Sequence, residues 1–578
     1  MNHTTAAAGK PEHSPEFRWR RFLNWFPMGL TYAFLYMARY NLTVSKNALG
    51  EMMSKSDFGI IFAAGTFTYA FAFLINGPLT DKIGGKKAIL IGSLGAAIAN
   101  ALMGVIIYGI LVRSWTLNLT LIFSILYALN MYFQSYGAVA IVKVNSAWFH
   151  VRERGVFGGI FGVLISLGLY FAFDWGQSIV DATRVAATNL NFIESALRSV
   201  LGITTTTIDQ TWWVFFVPAI VLVIFFVIEL FALRDRPGEA GFADFDLGDA
   251  SSGESDRPFN LKEILLKILT NPIILTIAFI EFCSGVMRNG IMHWYKIFTA
   301  DMGYPGDFFV NSNWGLLLML AGVFGGIFAG FLSDKIFGSR RGPVAALLYG
   351  LMLVITVAMW PFVVQSNKNV KKEITVAVSH QLITKNQKLG ELSLGVIKEK
   401  LAKNYTLANV ETHWVKDDSV TRIQLHAQAG KESLMLATNA GEIDLFQYDR
   451  FNKYQNKTEV HTIKISNVSK ITGAPVDATA YILGIIVVLM SLCVIGVHGM
   501  LSGTSTMDFG GRRGAATAVG LIDGFVYLGT GVQSLALGFL TEINWNYWPP
   551  FLIPFAILGL VLAIRIWYAF PNAKRKGH

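Results

Sequence analysis

The chain has 578 residues, of which 53% are hydrophobic, 13% aromatic and only 15% charged, where a soluble domain carries about 25% charged residues. This excludes an ordinary soluble enzyme and a disordered chain, and two cysteines, Cys283 and Cys493, both inside apolar runs, exclude a disulfide framework while leaving the redox compartment open. The formal charge is +10, from 48 basic and 38 acidic residues, but the basic residues gather at the ends of apolar runs, so membrane topology explains them better than nucleic-acid binding.

In chain order, a polar arm (1–21) carries Lys10, Arg18, Arg20 and Arg21. A membrane span needs ~20 apolar residues to cross ~30 Å of hydrocarbon. Twelve such runs follow, near 22–45, 58–80, 88–112, 116–142, 155–177, 212–233, 272–298, 311–333, 343–365, 477–503, 514–540 and 547–570. The first is not a cleavable leader, because it is long, holds Arg39 and lacks a small-residue cleavage site. Basic residues fill the even-numbered connections: Lys82, Lys86 and Lys87; Arg152 and Arg154; Arg234, Arg236, Arg257, Lys262 and Lys267; Lys335, Arg340 and Arg341; Arg512 and Arg513. The tail (571–578) adds Lys574, Arg575 and Lys576, and the odd-numbered short connections are nearly bare of Lys and Arg. Both termini are therefore expected in the cytoplasm, with the chain in a bacterial inner membrane.

A polar loop, 234–271, divides a six-span half (22–233) from a second half made of 272–365 and 476–570. Between these last two lies an insert, 366–475, too long for a plain loop and expected outside the cytoplasm. It reads as a small α+β domain. Strand-like alternation marks 373–378, 410–414, 421–425, 433–436 and 443–447, and 392–401 spaces its apolar residues like a helix. This helix-then-strands order resembles the PepSY family of extracytoplasmic domains, without a specific motif. The insert offers a surface for an extracytoplasmic partner, or simply shields or tethers. Asn404, Asn456 and Asn467 lie in sequons, which matter only in a glycosylating pathway. The predicted fold class is thus an all-α membrane protein of twelve transmembrane helices in two pseudo-symmetric halves, plus this insert.

The halves repeat one motif. Gly77, four residues before Asp81 and Lys82, joins spans two and three; Gly330, four residues before Asp334 and Lys335, joins spans eight and nine. The glycine permits close helix approach and the aspartate can latch one conformation by a charge-assisted contact. This resembles the signature loop of the major facilitator superfamily, whose two halves flank a central substrate site.

Charges inside the membrane are costly and mark function. Arg39 in span one and Arg288 in span seven open their halves at equivalent positions, 38 residues before Gly77 and 42 before Gly330. Two facing guanidiniums repel unless an anion lies between them, and their forks match phosphate oxygens bidentately. The alternative is pairing of each with a local acid. Span one has none, and Glu281 lies seven residues from Arg288.

The segments Tyr32–Leu42 and Met287–Trp294 resemble the two arginine motifs of the organophosphate:phosphate antiporters, the carriers of glycerol-3-phosphate, hexose phosphates and phosphoglycerate. Further matches are Phe133-Gln134, Trp148 with Glu153-Arg154-Gly155, Ile495–Gly499 and Ala515–Gly529. The resemblance implies that Arg39 and Arg288 bind phosphate, with Tyr32, Tyr36 and Gln134 lining the site, and Glu153 and Arg154 joining the latch. It also points to His498 and His293 as site residues, the latter where glycerol-phosphate carriers have Asp, and to Asp523 as a counter-charge or sugar contact. Each has a plainer reading: helix packing for the tyrosines, a satisfied buried imidazole for the histidines, a helix–helix hydrogen bond for Asp523. Phe73 and Ile165 stand where glycerol-phosphate carriers have a lysine and a histidine, which argues against glycerol-3-phosphate itself.

The expected activity is exchange of an organophosphate for inorganic phosphate by rocking of the halves. The partners are those two ligands and the lipid bilayer, without nucleic acid, cofactor or metal, and the chain is expected to be monomeric. No nucleotide-binding loop, metal-ligand cluster or nucleophile–base motif is present in the sequence, so an enzyme or ATP-driven pump is not expected. A phosphate-ester receptor of the same fold remains open, as does a proton-coupled anion symporter using Glu281, His293 or Asp523.

Overall fold

Ser14 and Pro15 start the first helix. The Ser14 Oγ accepts from the Phe17 N–H at 3.2 Å, and proline at the first helical position forfeits no bond. Helix α1, Pro15–Leu49, then runs for 35 residues to Gly50, whose φ of 54° ends it. A capping box between Ser54 and Asp57 starts α2 (Lys55–Ile83), and Gly84, at φ 91°, turns the chain into α3 (Gly85–Arg113). Asn118 caps α4 (Leu119–Trp148). The helical span α5, Gly162–Thr183, contains a π-turn at Phe171–Trp175. A short helix α6 (Phe192–Val200) precedes α7 (Trp213–Ala232).

Asn271 and Pro272 start α8, which continues to Asp301 with a break at His293. It is followed by α9 (Trp314–Ile336), α10 (Arg341–Asn369), α11 (Ala478–His498), α12 (Thr506–Ile543) and α13 (Trp548–Arg565). This computed structural model describes residues 13–150, 162–164, 166–185, 190–203, 208–244, 270–338, 340–369, 372–380, 405–415, 418–427, 443–452, 457–469, 476–501 and 506–568. The expected helix at 392–401 and strand at 433–436 lie outside these residues, as do the basic tail and most of the central loop.

Among the described residues, eleven helices are long and apolar enough to cross a membrane. Helix α1 is not one of them, although it covers the first apolar run. The reason lies in its surroundings. Thr31 through Lys46 is buried without a break, on every face of the helix. A helix enclosed by other helices needs no lipid-facing surface, so it can hold Arg39, Asn41, Thr43 and Lys46. Helix α7 is the opposite case. Ile220, Val223, Ile224, Val227 and Phe231 are exposed on it, as a lipid-facing surface requires. Helix α2 packs between α4 and α12, α8 packs against α12 and α13, and α1 packs against α7.

Between α10 and α11 five strands form one antiparallel sheet in the order β2-β3-β1-β5-β4. They are β1 (Lys372–His380), β2 (Tyr405–Val415), β3 (Asp418–Ala427), β4 (Ile443–Asn452) and β5 (Lys457–Ser469). Strand β1 lies at the centre, with Thr375 opposite Gln424 of β3 and Ser469 of β5. Strand β5 has no counterpart in the sequence reading. Because the strands pair only with one another, replacing residues 372–469 by a short linker should leave the helical part folded. Detergent-solubilised protein lacking the insert should elute as one sharp species and melt within a few degrees of the full chain.

Candidate functional site

The site is built around α1. Three asparagines from three helices form a chain of amides beside it. Asn41 donates to Asn100 Oδ1 at 2.8 Å, Asn100 donates to Asn130 Oδ1 at 3.2 Å, and Gln134 Nε2 donates to the same Asn130 oxygen at 3.0 Å. Asn100 and Asn130 also each donate to the Ala38 carbonyl, at 3.1 and 3.0 Å, and the Tyr127 hydroxyl donates to the Arg39 carbonyl at 3.1 Å. These contacts fix the backbone of α1 on both sides of Arg39. All four amides are fully or almost fully buried, so each unmade bond would be costly.

Arg39 is fully buried, and each guanidinium nitrogen has a partner. Nε donates to Gln134 Oε1 at 2.8 Å, Nη1 to the Tyr527 hydroxyl at 2.9 Å and Nη2 to the Tyr69 hydroxyl at 3.1 Å. None of these partners is a carboxylate. Ring faces supply the rest: the guanidinium carbon lies 4.6 Å from the Tyr69 ring centre, 4.9 Å from Tyr36 and 5.8 Å from Tyr40. The charge is thus held by an amide oxygen, phenols and π-faces, without a carboxylate. Tyr69 and Tyr127 escaped the sequence reading, because a single tyrosine in an apolar run gives no signal of its partner.

Arg288 reaches the same aromatic cluster. Tyr36, Tyr40 and Tyr527 lie within electrostatic range of both guanidiniums. The Nε of Arg288 is buried without a hydrogen-bond partner. Glu281 is an acidic group within electrostatic range of Arg288, and its Oε2 lies 2.8 Å from Nδ1 of His498. His498 is therefore placed beside Glu281. His293 has partners of its own. Its Nδ1 meets the Thr43 hydroxyl at 2.7 Å and its Nε2 meets Asn289 Oδ1 at 3.2 Å. Its ring packs against Phe62 and Tyr40, at 4.6 and 4.7 Å, so neither nitrogen is left for a ligand in this conformation. Tyr32 packs edge-on against Tyr36 at 5.5 Å, two turns before Arg39. Asp523 is half-buried on α12, one turn before Tyr527.

The helices before and after the central loop meet closely at one end. Lys55 Nζ lies 2.6 Å from Asp301 Oδ2, which also accepts from Trp545 Nε1 at 3.0 Å. Two carboxylates cap helix starts across this seam. Glu542 accepts from the Lys55 and Ser56 N–H groups at 2.9 and 3.2 Å, at the start of α2. Asp174 accepts from the Gly315 and Leu316 N–H groups at 2.7 and 2.9 Å, at the start of α9. Each places negative charge on a helix N-terminus, where orphan N–H groups and the helix dipole favour it.

The other end differs. A Cβ added at Gly59, near the start of α2, would lie 2.5 Å from the Ser534 carbonyl oxygen of α12, whereas one added at Gly77 or Gly330 would meet nothing within 4 Å. The close approach expected at the two loop glycines is therefore not seen among the described residues. Lys82 and Lys335 are exposed, and Asp334 pairs with Arg341 at 3.5 Å. The Asp81 side chain, Glu153, Arg154 and Ile165 lie outside the described residues.

Residues 28–370, more than half of the chain, match the major facilitator superfamily. The chain belongs to that superfamily. Among curated relatives within the superfamily, it is 24% identical over 349 residues to the glycerol-3-phosphate transporter of Bacillus subtilis, covering 57% of this chain and 68% of that one. It is 25% identical over 351 residues to the membrane sensor protein UhpC of Escherichia coli, covering 59% and 71%. It is 24% identical over 368 residues to a probable hexose phosphate transport protein of Chlamydia trachomatis, covering 60% and 71%. The crystal structure of a bacterial homolog to the human lysosomal transporter Spinster, inward-facing and unoccupied, superposes with a TM-score of 0.58 at 12% identity, covering 96% of this chain and 98% of that one. That likeness shows the fold alone. The chain is thus an integral, multi-pass membrane protein of a transporter superfamily and not an enzyme, with organophosphate transporters and sensors among its relatives.

Gln134→Leu should strand the Nε of Arg39 in a buried site and cost roughly 1.5–3 kcal/mol, the worth of a hydrogen bond to a charged group. The check is a lower melting temperature in detergent. Tyr36→Phe, which keeps its ring under the guanidinium, should lower it less.

Proposed function

We propose that the protein exchanges an organophosphate for inorganic phosphate across a bacterial inner membrane, by alternating access of two six-helix halves. The observation that carries this reading is the pair of intramembrane arginines, Arg39 fully buried and Arg288 half-buried. They come from α1 and α8, lie within electrostatic range of the same three tyrosines, and have no carboxylate bonded to either among the described residues. A phosphate dianion is the ligand that would nearly neutralise them, and two guanidinium forks suit its tetrahedral oxygens. The glycerol-3-phosphate and hexose phosphate relatives support the same chemistry.

In this reading α1 is the twelfth membrane crossing, both termini are cytoplasmic, and the protein acts as a monomer. The seam at Lys55, Asp174, Asp301 and Glu542 closes the extracytoplasmic end, and the end at Gly77 and Gly330 opens to the cytoplasm. Tyr527, reaching Arg39 from the other half, occupies a donor that phosphate takes when bound. Phosphate then draws both halves onto one ligand, so the empty carrier crosses slowly and the loaded one crosses readily. That differential binding makes the process an exchange. Asp81 and Asp334 with their neighbouring lysines, together with Glu153 and Arg154, act as the cytoplasmic latch when that end closes.

The likeness to a membrane sensor favours one second reading, a receptor for a phosphate ester. Labelled phosphate in reconstituted vesicles separates the two. Efflux that requires an organophosphate or phosphate on the opposite side supports exchange, and binding without flux supports a receptor.

Arg39→Lys and Arg288→Lys should each weaken phosphate binding about 10- to 100-fold, since a point charge replaces a bidentate fork at a cost of roughly 1.5–3 kcal/mol. Because one ligand bridges both, the double variant should lose little beyond the worse single one. Competition binding on purified protein checks this, and wild-type affinity in either folded single variant would sink the two-arginine site.

The extracytoplasmic seam has its own test. Asp174→Ala combined with Glu542→Ala removes both helix caps. Labelling of a cysteine placed at Thr43 by an impermeant maleimide, applied from outside, should speed up about tenfold or more.

A further inference from the structure

We infer that Glu281 and His498 form a hydroxyl-binding subsite, which makes the substrate a sugar or polyol phosphate and disfavours phosphate esters carrying a carboxylate. This rests on the two-arginine phosphate site and names the organic part of its ligand.

The first observation is an incomplete carboxylate. Glu281 is fully buried on α8 and its Oε2 is shared with Nδ1 of His498 at 2.8 Å, but Oε1 has no hydrogen-bond partner. The polar groups around it do not supply one. The Tyr349 hydroxyl, within electrostatic range of Glu281, donates to the Ile280 carbonyl at 2.7 Å. Cys283 is a buried free thiol on the same helix, and Arg288 lies two turns along. A buried acceptor left open calls for a donor, and in the proposed subsite a ligand hydroxyl supplies it.

The second observation is alignment. Seven residues on a helix return to within about 20° of the same face and advance roughly 10 Å. Glu281 therefore lies on the stripe of α8 that carries Arg288. A ligand whose phosphate sits on Arg288 extends its organic part along that stripe, towards the carboxylate. His498, bonded to Glu281 and partly exposed, with 23% of its side chain accessible, forms the approachable edge of the pair.

The third observation is charge. A carboxylate accepts hydroxyl hydrogens and repels another carboxylate. The other cations near α8 lie towards its C-terminal end, beyond Arg288 and away from Glu281. Lys296 donates to the Asn311 carbonyl and side-chain oxygens at 2.8 and 2.9 Å, Lys55 pairs with Asp301, and the buried Lys46 lies within electrostatic range of that same aspartate. None offers a third cationic contact on the Glu281 side for a ligand with a second acid group. A chain of hydroxyls satisfies the stripe, and a carboxylated phosphate ester does not.

The experiment measures competition against labelled inorganic phosphate by a hexose phosphate, an alkyl phosphate of similar length without hydroxyls, and phosphoglycerate. The wild-type protein should prefer the hexose phosphate to the other two by about tenfold or more, the scale of one or two hydrogen bonds to a charged group. Glu281→Ala should abolish that preference while unlabelled inorganic phosphate still competes, at equal or higher affinity, because a negative charge within electrostatic range of Arg288 is removed. Glu281→Gln, which keeps size and one acceptor, should reduce it partway and covers the case where the alanine variant does not fold. A wild-type protein indifferent to the hydroxyls overturns the subsite. So does a Glu281→Gln variant that keeps the full preference, or one that loses inorganic phosphate and hexose phosphate equally. If inorganic phosphate fails to compete even in the wild type, it is the two-arginine reading that falls, and the subsite falls with it.

Discussion

Everything at the centre of this molecule follows from burying a guanidinium without a carboxylate. Arg39 cannot lose its charge in a protein, so the surroundings must accommodate it. They do so with an amide oxygen, two phenol oxygens and three or four ring faces. This arrangement solvates the cation without neutralising it. A carboxylate partner would have cancelled the charge and left little for an anionic ligand to gain. The phenols are adequate solvent and weak competitors, which is the compromise that the proposed phosphate site requires.

That compromise dictates the rest of the helix. Because Arg39 must point in one direction, the α1 backbone around it is pinned by Asn100, Asn130 and Tyr127. Because α1 is pinned from several sides, it is enclosed. And because it is enclosed, it is the one long helix in the N-terminal group whose composition falls short of a lipid-exposed span. The polarity of α1 and its central position are one fact seen from two directions.

The sequence showed which residues were out of place in a membrane and rarely what they touched. Arg39, Arg288, Glu281 and Asp523 stand out because a charge in an apolar run is conspicuous at any distance from its partner. Asn41, Asn100 and Asn130 do not, since each is a modest polar residue in its own helix and their partners lie 30 or 59 positions away. His293 shows the same limit. Its neighbour in sequence is Arg288, but its ring nitrogens meet Thr43, 250 residues earlier, and Asn289. His498 likewise finds Glu281 across 217 residues. Gly77 and Gly330 show a further limit. A small residue permits close packing, and whether the approach is made depends on the conformation, which no motif encodes. Helix ends, by contrast, were legible to within a few residues for most of the apolar runs, because caps such as Ser54, Asn118, Asn271 and Asp477 act locally.

The seam between α2 and α12 is tight at Gly59 and open at Gly77. The two helices are closest at Gly59 and Gly538 and separate gradually, a Cβ at Gly524 lying 3.4 Å from the Ala70 carbonyl oxygen and one at Gly520 3.9 Å from that of Phe73, so they pivot like a lever about the tight end. A displacement of a few tenths of an ångström at the fulcrum becomes several times larger some 27 Å away, the length of eighteen helical residues at about 1.5 Å each. If the halves rock as proposed, the backbone-to-backbone contact at Gly59 sets the mechanical advantage of that motion. A single methyl group there would change how far the distant ends travel, without touching a charge or a ligand.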